Sequence, residues 1–127
     1  MASVRQKGTT PEIVVRRLLR AVGVRVQSNG RNLPGSPDAF TLNPKRAVFV
    51  HGCFWHRHPA CRLSTTPKSH TEYWIAKFAD NVHRDRRKIL ALRRLGFRVI
   101  TIWECEVKSA QHLDRISRRL ERFFTEG

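Results

Sequence analysis

With 127 residues, the chain can build one compact domain with a real core and is too short for two. Its hydrophobic fraction of 40% excludes a disordered chain. Its 25 Lys and Arg against 10 Asp and Glu, a net charge of +15, call for an anionic partner. Nucleic acid is the natural one, because Arg and Lys contacts to phosphate dominate its binding. A membrane surface is the rival, but no long apolar run, signal peptide or lipidation motif supports it, so an intracellular protein with no membrane partner is expected.

A first helix is expected from about Thr10. Thr9 and Glu12 fit a capping box, Pro11 suits the first turn, and Gly23 can stop it. Ile13, Leu18, Leu19 and Val22 give its apolar stripe. Residues 24–27 read as a short strand. The run Leu33-Pro34-Gly35-Ser36-Pro37-Asp38 is a rigid turn that feeds a strand from Asp38 to Leu42. Asn43-Pro44 turns the chain into a buried strand over 46–50. Residues 51–67 form an irregular loop rich in His, Cys, Pro and aromatics. A long helix from Thr71 to Leu95 follows, with Trp74, Phe78, Val82, Ile89, Leu92 and Leu95 available for burial and Gly96 at its end. Phe97 to Trp103 is an apolar strand, and Ala110 to Phe124 a final amphipathic helix carrying Leu113, Ile116, Leu120 and Phe123. The order implies an α/β layer architecture with a small mixed sheet.

An odd count of three cysteines without a secretion signal argues against a disulfide framework. Cys53, His58 and Cys61 fall within nine residues, and Cys105 follows the last strand. Thiolates and imidazole in a set of four suit tetrahedral Zn²⁺. The same residues could be buried free thiols and an incidental histidine. A long loop with no other means of holding its shape favours zinc, with His51 and His56 as competing ligands.

Acidic residues are scarce, so their positions carry information. Asp38 sits where a proline-bounded turn enters a strand, and antiparallel pairing with the next strand would bring it near Val50 and His51. That is a place to hold a hard cation such as Mg²⁺, although an aspartate also simply caps such turns. Glu12 fits the helix-capping role, and Asp85 fits a salt bridge to Arg84 or Lys88 along its helix. Phe54 and Trp55 in the loop, with Trp74 at the next helix start, suit either base stacking or the core. Trp103, in a strand, reads as core.

Together these pieces resemble the very short patch repair endonucleases of bacteria. The resemblance rests on Thr10-Pro11-Glu12, the turn from Leu33 to Asp38, Val48-Phe49-Val50-His51-Gly52-Cys53-Phe54-Trp55-His56, Tyr73-Trp74 with Lys77, Asn81 with Arg84-Asp85, and Gly96-Phe97-Arg98-Val99 leading to Trp103-Glu104-Cys105. They recur in order over roughly residues 5 to 107. The resemblance implies a restriction-endonuclease-like core with a structural zinc site, in a single endonuclease domain over 1–127 whose N-terminal arm, about 1–9, is short or truncated. It implies Mg²⁺-dependent nicking of one DNA strand 5′ of the thymine in a T:G mismatch left by 5-methylcytosine deamination. Asp38 and the backbone carbonyl of Val50 would ligate Mg²⁺. His56 would act on the attacking or metal-bound water, Glu12 would hold water further out, and Asp85 would orient a histidine, with His51 part of the same catalytic group. Cys53, His58, Cys61 and Cys105 would bind Zn²⁺. Phe54, Trp55 and Trp74 would form a wedge beside the mismatch. The expected partners are mismatched double-stranded DNA and mismatch-repair proteins, met by a monomer in the cytoplasm at the nucleoid. A non-catalytic zinc module that binds nucleic acid, and a nuclease of the same fold with another lesion or a junction as substrate, are the alternatives.

Overall fold

The computed structural model describes residues 10–28 and 30–126. In chain order these form α1 (Thr10–Ala21), β1 (Gln27–Ser28), β2 (Ala39–Leu42), β3 (Lys45–His51), α2 (Thr71–Arg94), β4 (Arg98–Trp103), α3 (Glu104–Val107) and α4 (Ala110–Thr125). The four strands make one mixed sheet in the order β1-β2-β3-β4. β2 runs antiparallel to β1 and β3, with Ala39 opposite Val48. β3 and β4 are parallel, with Val48 opposite Ile100. A parallel pair needs a long crossover, and residues 52–97, including α2, supply it.

The two faces of the sheet are separated by strand alternation. Ala39, Val48 and Ile102 pack on Val15 and Leu19 of α1 and on Ile116, Leu120 and Phe124 of α4. Phe40, Ala47, Phe49 and Phe97 pack on Leu92 of α2. The fold is therefore three layers, with α2 on one side and α1 with α4 on the other. Leu19, Leu92, Ile102 and Leu120 are fully buried, and truncating any of them to alanine costs about 2–5 kcal/mol.

Arg46, within the strand expected to be buried, is buried on the α4 side, and its partners come from the end of that helix. Its Nε donates to the Phe123 carbonyl at 3.2 Å and its Nη2 to the Glu126 carbonyl at 3.0 Å. A cation at the C-terminal carbonyls of α4 satisfies groups that have no partner inside the helix.

Several expectations are corrected. The first strand is Gln27–Ser28 and not 24–27, because only those two residues align with Ala39 and Phe40. Leu95 is 49% exposed. It lies past the last turn of α2, where its backbone N–H reaches the Leu92 carbonyl and the helix is already closing. Phe124, not Phe123, is the buried ring of the last helix turn. The short α3 was not foreseen: four residues carry no readable period. Thr9 of the expected capping box, and the arm over 1–9, lie outside the described residues.

Candidate functional site

The turn from Leu33 to Pro37 delivers Asp38 to the edge of β2 on the α2 side of the sheet. Gly35, at φ +73°, lies against α2 so closely that a β-carbon there would meet the Lys88 side chain at 2.7 Å. The turn is thus pinned to the helix that carries Asp85. The Asp38 backbone N–H donates to the Val48 carbonyl at 2.9 Å. Its carboxylate Oδ2 accepts from the Val50 N–H at 2.6 Å. Burial pushes the Asp38 carboxyl up to about 6, with the nearby Glu12 carboxylate adding to the rise, while the Val50 hydrogen bond, Arg16 and His56 oppose it. Glu12 lies 3.9 Å from Arg16 across one turn of α1. A carboxylate at a strand end, with a second carboxylate near enough to disfavour its charged form, is the kind of oxygen donor a hard divalent cation takes.

Next to Asp38, β3 ends in His51, which is buried. Its ring stacks on His56 at 3.8 Å between centroids and 8° between planes. Burial, and secondarily His56, lower the His51 pKa to about 3, so it is a neutral imidazole at physiological pH. His56 Nδ1 lies 2.7 Å from Asp85 Oδ2. Burial alone would raise the Asp85 carboxyl, but the hydrogen bond with His56 and the charges of His56, His51 and Lys88 hold it below the usual carboxylate range. An ionised Asp85 accepts a hydrogen bond from the ring in the tautomer protonated at Nδ1, which leaves the His56 Nε2 lone pair facing away from it. Asp85 therefore turns to the loop rather than to Arg84 or Lys88 along its own helix. Donor atoms of His51, His56 and Asp85 lie within 4.8 Å of one another.

The second constellation staples the loop. Donor atoms of Cys53, His58, Cys61 and Cys105 also gather within 4.8 Å, a cluster that could hold a metal ion. His58 Nδ1 lies 3.6 Å from Cys53 Sγ and 3.4 Å from Cys105 Sγ. Burial, then the adjacent Cys53 and Cys61, push the Cys105 thiol up to about 12. Three thiols this close cannot all ionise without a cation among them, and supplying that charge is what zinc does for such a set. The loop is braced in three other ways that the sequence did not reveal. Ser64 Oγ donates within reach of the Cys53 and His58 carbonyls. Arg57 donates to the carbonyls of Phe54, Ser64 and Thr65 and lies over Phe78 at 4.0 Å. Glu104 Oε1 accepts from the Cys53 N–H at 3.2 Å. Trp103 is only partly buried and stacks on His58 at 4.3 Å, so it supports the cluster rather than filling the core.

The aromatics gather around Phe78, which is buried. Phe54 lies 5.2 Å and Trp74 5.7 Å from it, and Trp55 meets Trp74 at 5.7 Å. Trp55 is 48% exposed, while Phe54 and Trp74 are partly buried. Trp55 and His56 also line an open cleft of about 450 Å³ with Lys77, Asn81, Arg84 and Asp85. A large exposed ring thus stands beside the histidine and carboxylate, in a cleft edged by cations.

A mixed sheet with an acid–histidine cluster at its central strand ends and a metal-competent Cys/His cluster defines a restriction-endonuclease-like α/β protein. A family model described as DNA mismatch endonuclease Vsr matches residues 1–62. The type II nicking enzyme V.XorIIP of Xanthomonas oryzae is 42% identical over 94% of this chain and 88% of its own. The type II nicking enzyme V.NmeAIP of Neisseria meningitidis is 37% identical over 95% of this chain and 89% of its own. The DNA mismatch endonuclease Vsr of Escherichia coli is 36% identical over 97% of this chain and 80% of its own. The chain belongs to the Vsr family of DNA mismatch endonucleases.

Proposed function

We propose that this chain, a DNA-nicking hydrolase of its family, cuts one strand of a duplex 5′ of the thymine in a T:G mismatch, with Mg²⁺ at Asp38 and Zn²⁺ at the cysteine cluster. The observation that carries the reading is the juxtaposition of Asp38, held by the Val50 N–H at 2.6 Å, with a His56–Asp85 pair at 2.7 Å on the same side of the sheet. Hydrolysis of a phosphodiester requires a water placed in line with the leaving oxygen and a base to take its proton. His56 is suited to that base. Asp85 accepts the hydrogen bond from Nδ1–H, so Nε2 accepts the proton of the water as its oxygen bonds to phosphorus, and the bridging P–O bond breaks with the leaving oxygen taking a proton from solvent. His51, neutral and stacked flat on His56, fixes the plane of the ring without adding a competing charge. Mg²⁺, held by the Asp38 carboxylate and the Val50 carbonyl, would supply the charge that neutralises the phosphate oxygens. Glu12, close enough to raise the Asp38 pKa, would hold water around that ion.

Zinc at Cys53, His58, Cys61 and Cys105 would lock the segment that bears Phe54, Trp55 and His56, so the wedge and the base share one rigid loop. A mismatched pair is cheaper to unstack than a matched one, by part of the few kcal/mol each unstacked step costs. Rings at Phe54, Trp55 and Trp74 would convert that difference into selectivity. The family relationship supports the substrate, since a relative bears the name DNA mismatch endonuclease. No described helix is long and apolar enough to cross a membrane. The test is a nicking assay with Mg²⁺ on matched, T:G-mismatched and branched duplexes, with Asp38→Ala as control. The reading predicts cutting of the T:G duplex alone, abolished in Asp38→Ala while duplex binding persists. A control that nicks at the normal rate overturns the site.

A further inference from the structure

On the far side of the molecule from this site, Arg98, Arg115, Arg118, Arg119 and Arg122 line an open cleft of about 520 Å³, with Glu126 at its edge. The four helix arginines recur at spacings of three and four residues, so α4 presents them as one stripe. Three are partly neutralised: Arg118 pairs with Asp114, Arg119 with Glu106 and Arg122 with Glu126. Among the described residues, Arg98 and Arg115 have no acidic partner. Five guanidiniums held together repel one another, and an anion with spaced charges relieves that repulsion.

The position of the cleft decides what that anion is. Arg98 opens β4 and Trp103 closes it beside the zinc cluster, a run of about 17 Å at roughly 3.3 Å per residue. By strand alternation Arg98 faces the α1 and α4 layer, whereas His51 and Asp38 face α2. The cleft therefore lies on the opposite face of the sheet from His56, and runs from the Arg98 end of β4 toward Glu106, the partner of Arg119. A duplex seated against one face of the sheet leaves the other face open to a second segment. Guanidinium forks at helix spacing match phosphate oxygens, and five of them line this one cleft.

We propose that this arginine cleft binds the phosphate backbone of a second DNA segment, distinct from the duplex being nicked, so that the protein passes directly between segments. The proposal rests on the reading that the chain acts on DNA, and its test separates the two. A labelled T:G duplex bound by the protein is chased with rising concentrations of unlabelled matched duplex. Transfer through a two-segment intermediate makes the observed dissociation rate climb with competitor concentration. In Arg98→Glu/Arg115→Glu the rate should stay flat, as it should in the milder Arg98→Gln/Arg115→Gln, while both variants nick a short T:G duplex at the normal rate. A flat dependence in the unaltered protein overturns the proposal, whatever the variants do. So does a dependence that survives in both variants. Acceleration by polyglutamate but not by duplex would assign the cleft to an acidic protein and overturn the nucleic-acid proposal. Loss of nicking on every duplex by the unaltered protein would instead sink the functional reading.

Discussion

Replacing Asp38 with asparagine should make the magnesium-free protein more stable while abolishing nicking. Burial, opposed only in part by the Val50 N–H, raises the Asp38 carboxyl from 3.8 to about 6. Folding therefore favours the protonated acid. The penalty is absent below the unfolded value of 3.8, grows as pH rises through about 6, and is constant above that. About two units at about 1.4 kcal/mol each give about 3 kcal/mol, and partial solvent contact trims this to about 2 kcal/mol. Asparagine keeps an oxygen for the Val50 N–H and removes the charge. At about 4 °C per kcal/mol, the melting temperature of zinc-loaded Asp38→Asn should rise by roughly 8 °C near pH 8 and by little near pH 4. Added Mg²⁺ should reverse the ranking. A ligand at 100 times its Kd stabilises by about 2.7 kcal/mol, and only the protein with the carboxylate gains it. Thermal unfolding of both proteins at the two pH values, with and without Mg²⁺, makes the check. A variant less stable than its parent near pH 8 without Mg²⁺, or equal stabilisation of both by Mg²⁺, would refute the reasoning.

Other sites make their own predictions. Cys105→Ser should lose the one zinc expected per chain and lower the melting temperature, read by elemental analysis and circular dichroism; metal-free protein melting normally would remove the zinc assignment. His56→Ala should cost ~10²–10⁴ in kcat, and adding Asp85→Asn to it should cost little more, because the pair acts as one unit; additive losses in single-turnover kinetics would mean that Asp85 acts elsewhere. Trp55→Ala should erase the preference for mismatched over matched duplex with a small change in melting temperature, since the ring is 48% exposed. Phe78→Ala, a buried control, should instead lose ~3–5 kcal/mol of stability and damage all activities together; an unchanged preference in folded Trp55→Ala would show that this ring is no wedge.

The frame of the molecule was legible because its signals are local. Proline and glycine bracket the turn before Asp38, and the apolar runs of β3 and β4 are bounded by Asn43-Pro44 and Gly96. The pairing of Asp38 with Val50 followed from two adjacent antiparallel strands, whose register is set by the short turn between them. What escaped the sequence depends on distance through space. The turn of Asp85 toward the loop spans a 29-residue separation that no period encodes, and the His51–His56 stack forms where the irregular loop folds back on the end of β3. The partners of Arg46 in its buried strand are carbonyls at the end of α4, 77 and 80 residues away. The bracing by Glu104 is equally non-local, that by Arg57 and Ser64 is short-range but lies in an irregular loop with no period to read, and Trp103 gave only a strand signal although it stacks on a proposed zinc ligand. The basic stripe of α4 was visible in the charge total but not as a cleft, because Arg98 joins it from β4.

The most direct test of the account is strand-specific cleavage under single-turnover conditions. A duplex with one T:G pair, labelled separately on each strand, is incubated with zinc-loaded protein and Mg²⁺ beside its fully matched counterpart. The account predicts one cut, in the thymine-bearing strand on the 5′ side of the thymine, and negligible cutting of the matched duplex. Equal cutting of both strands, or of matched and mismatched duplexes alike, would contradict it.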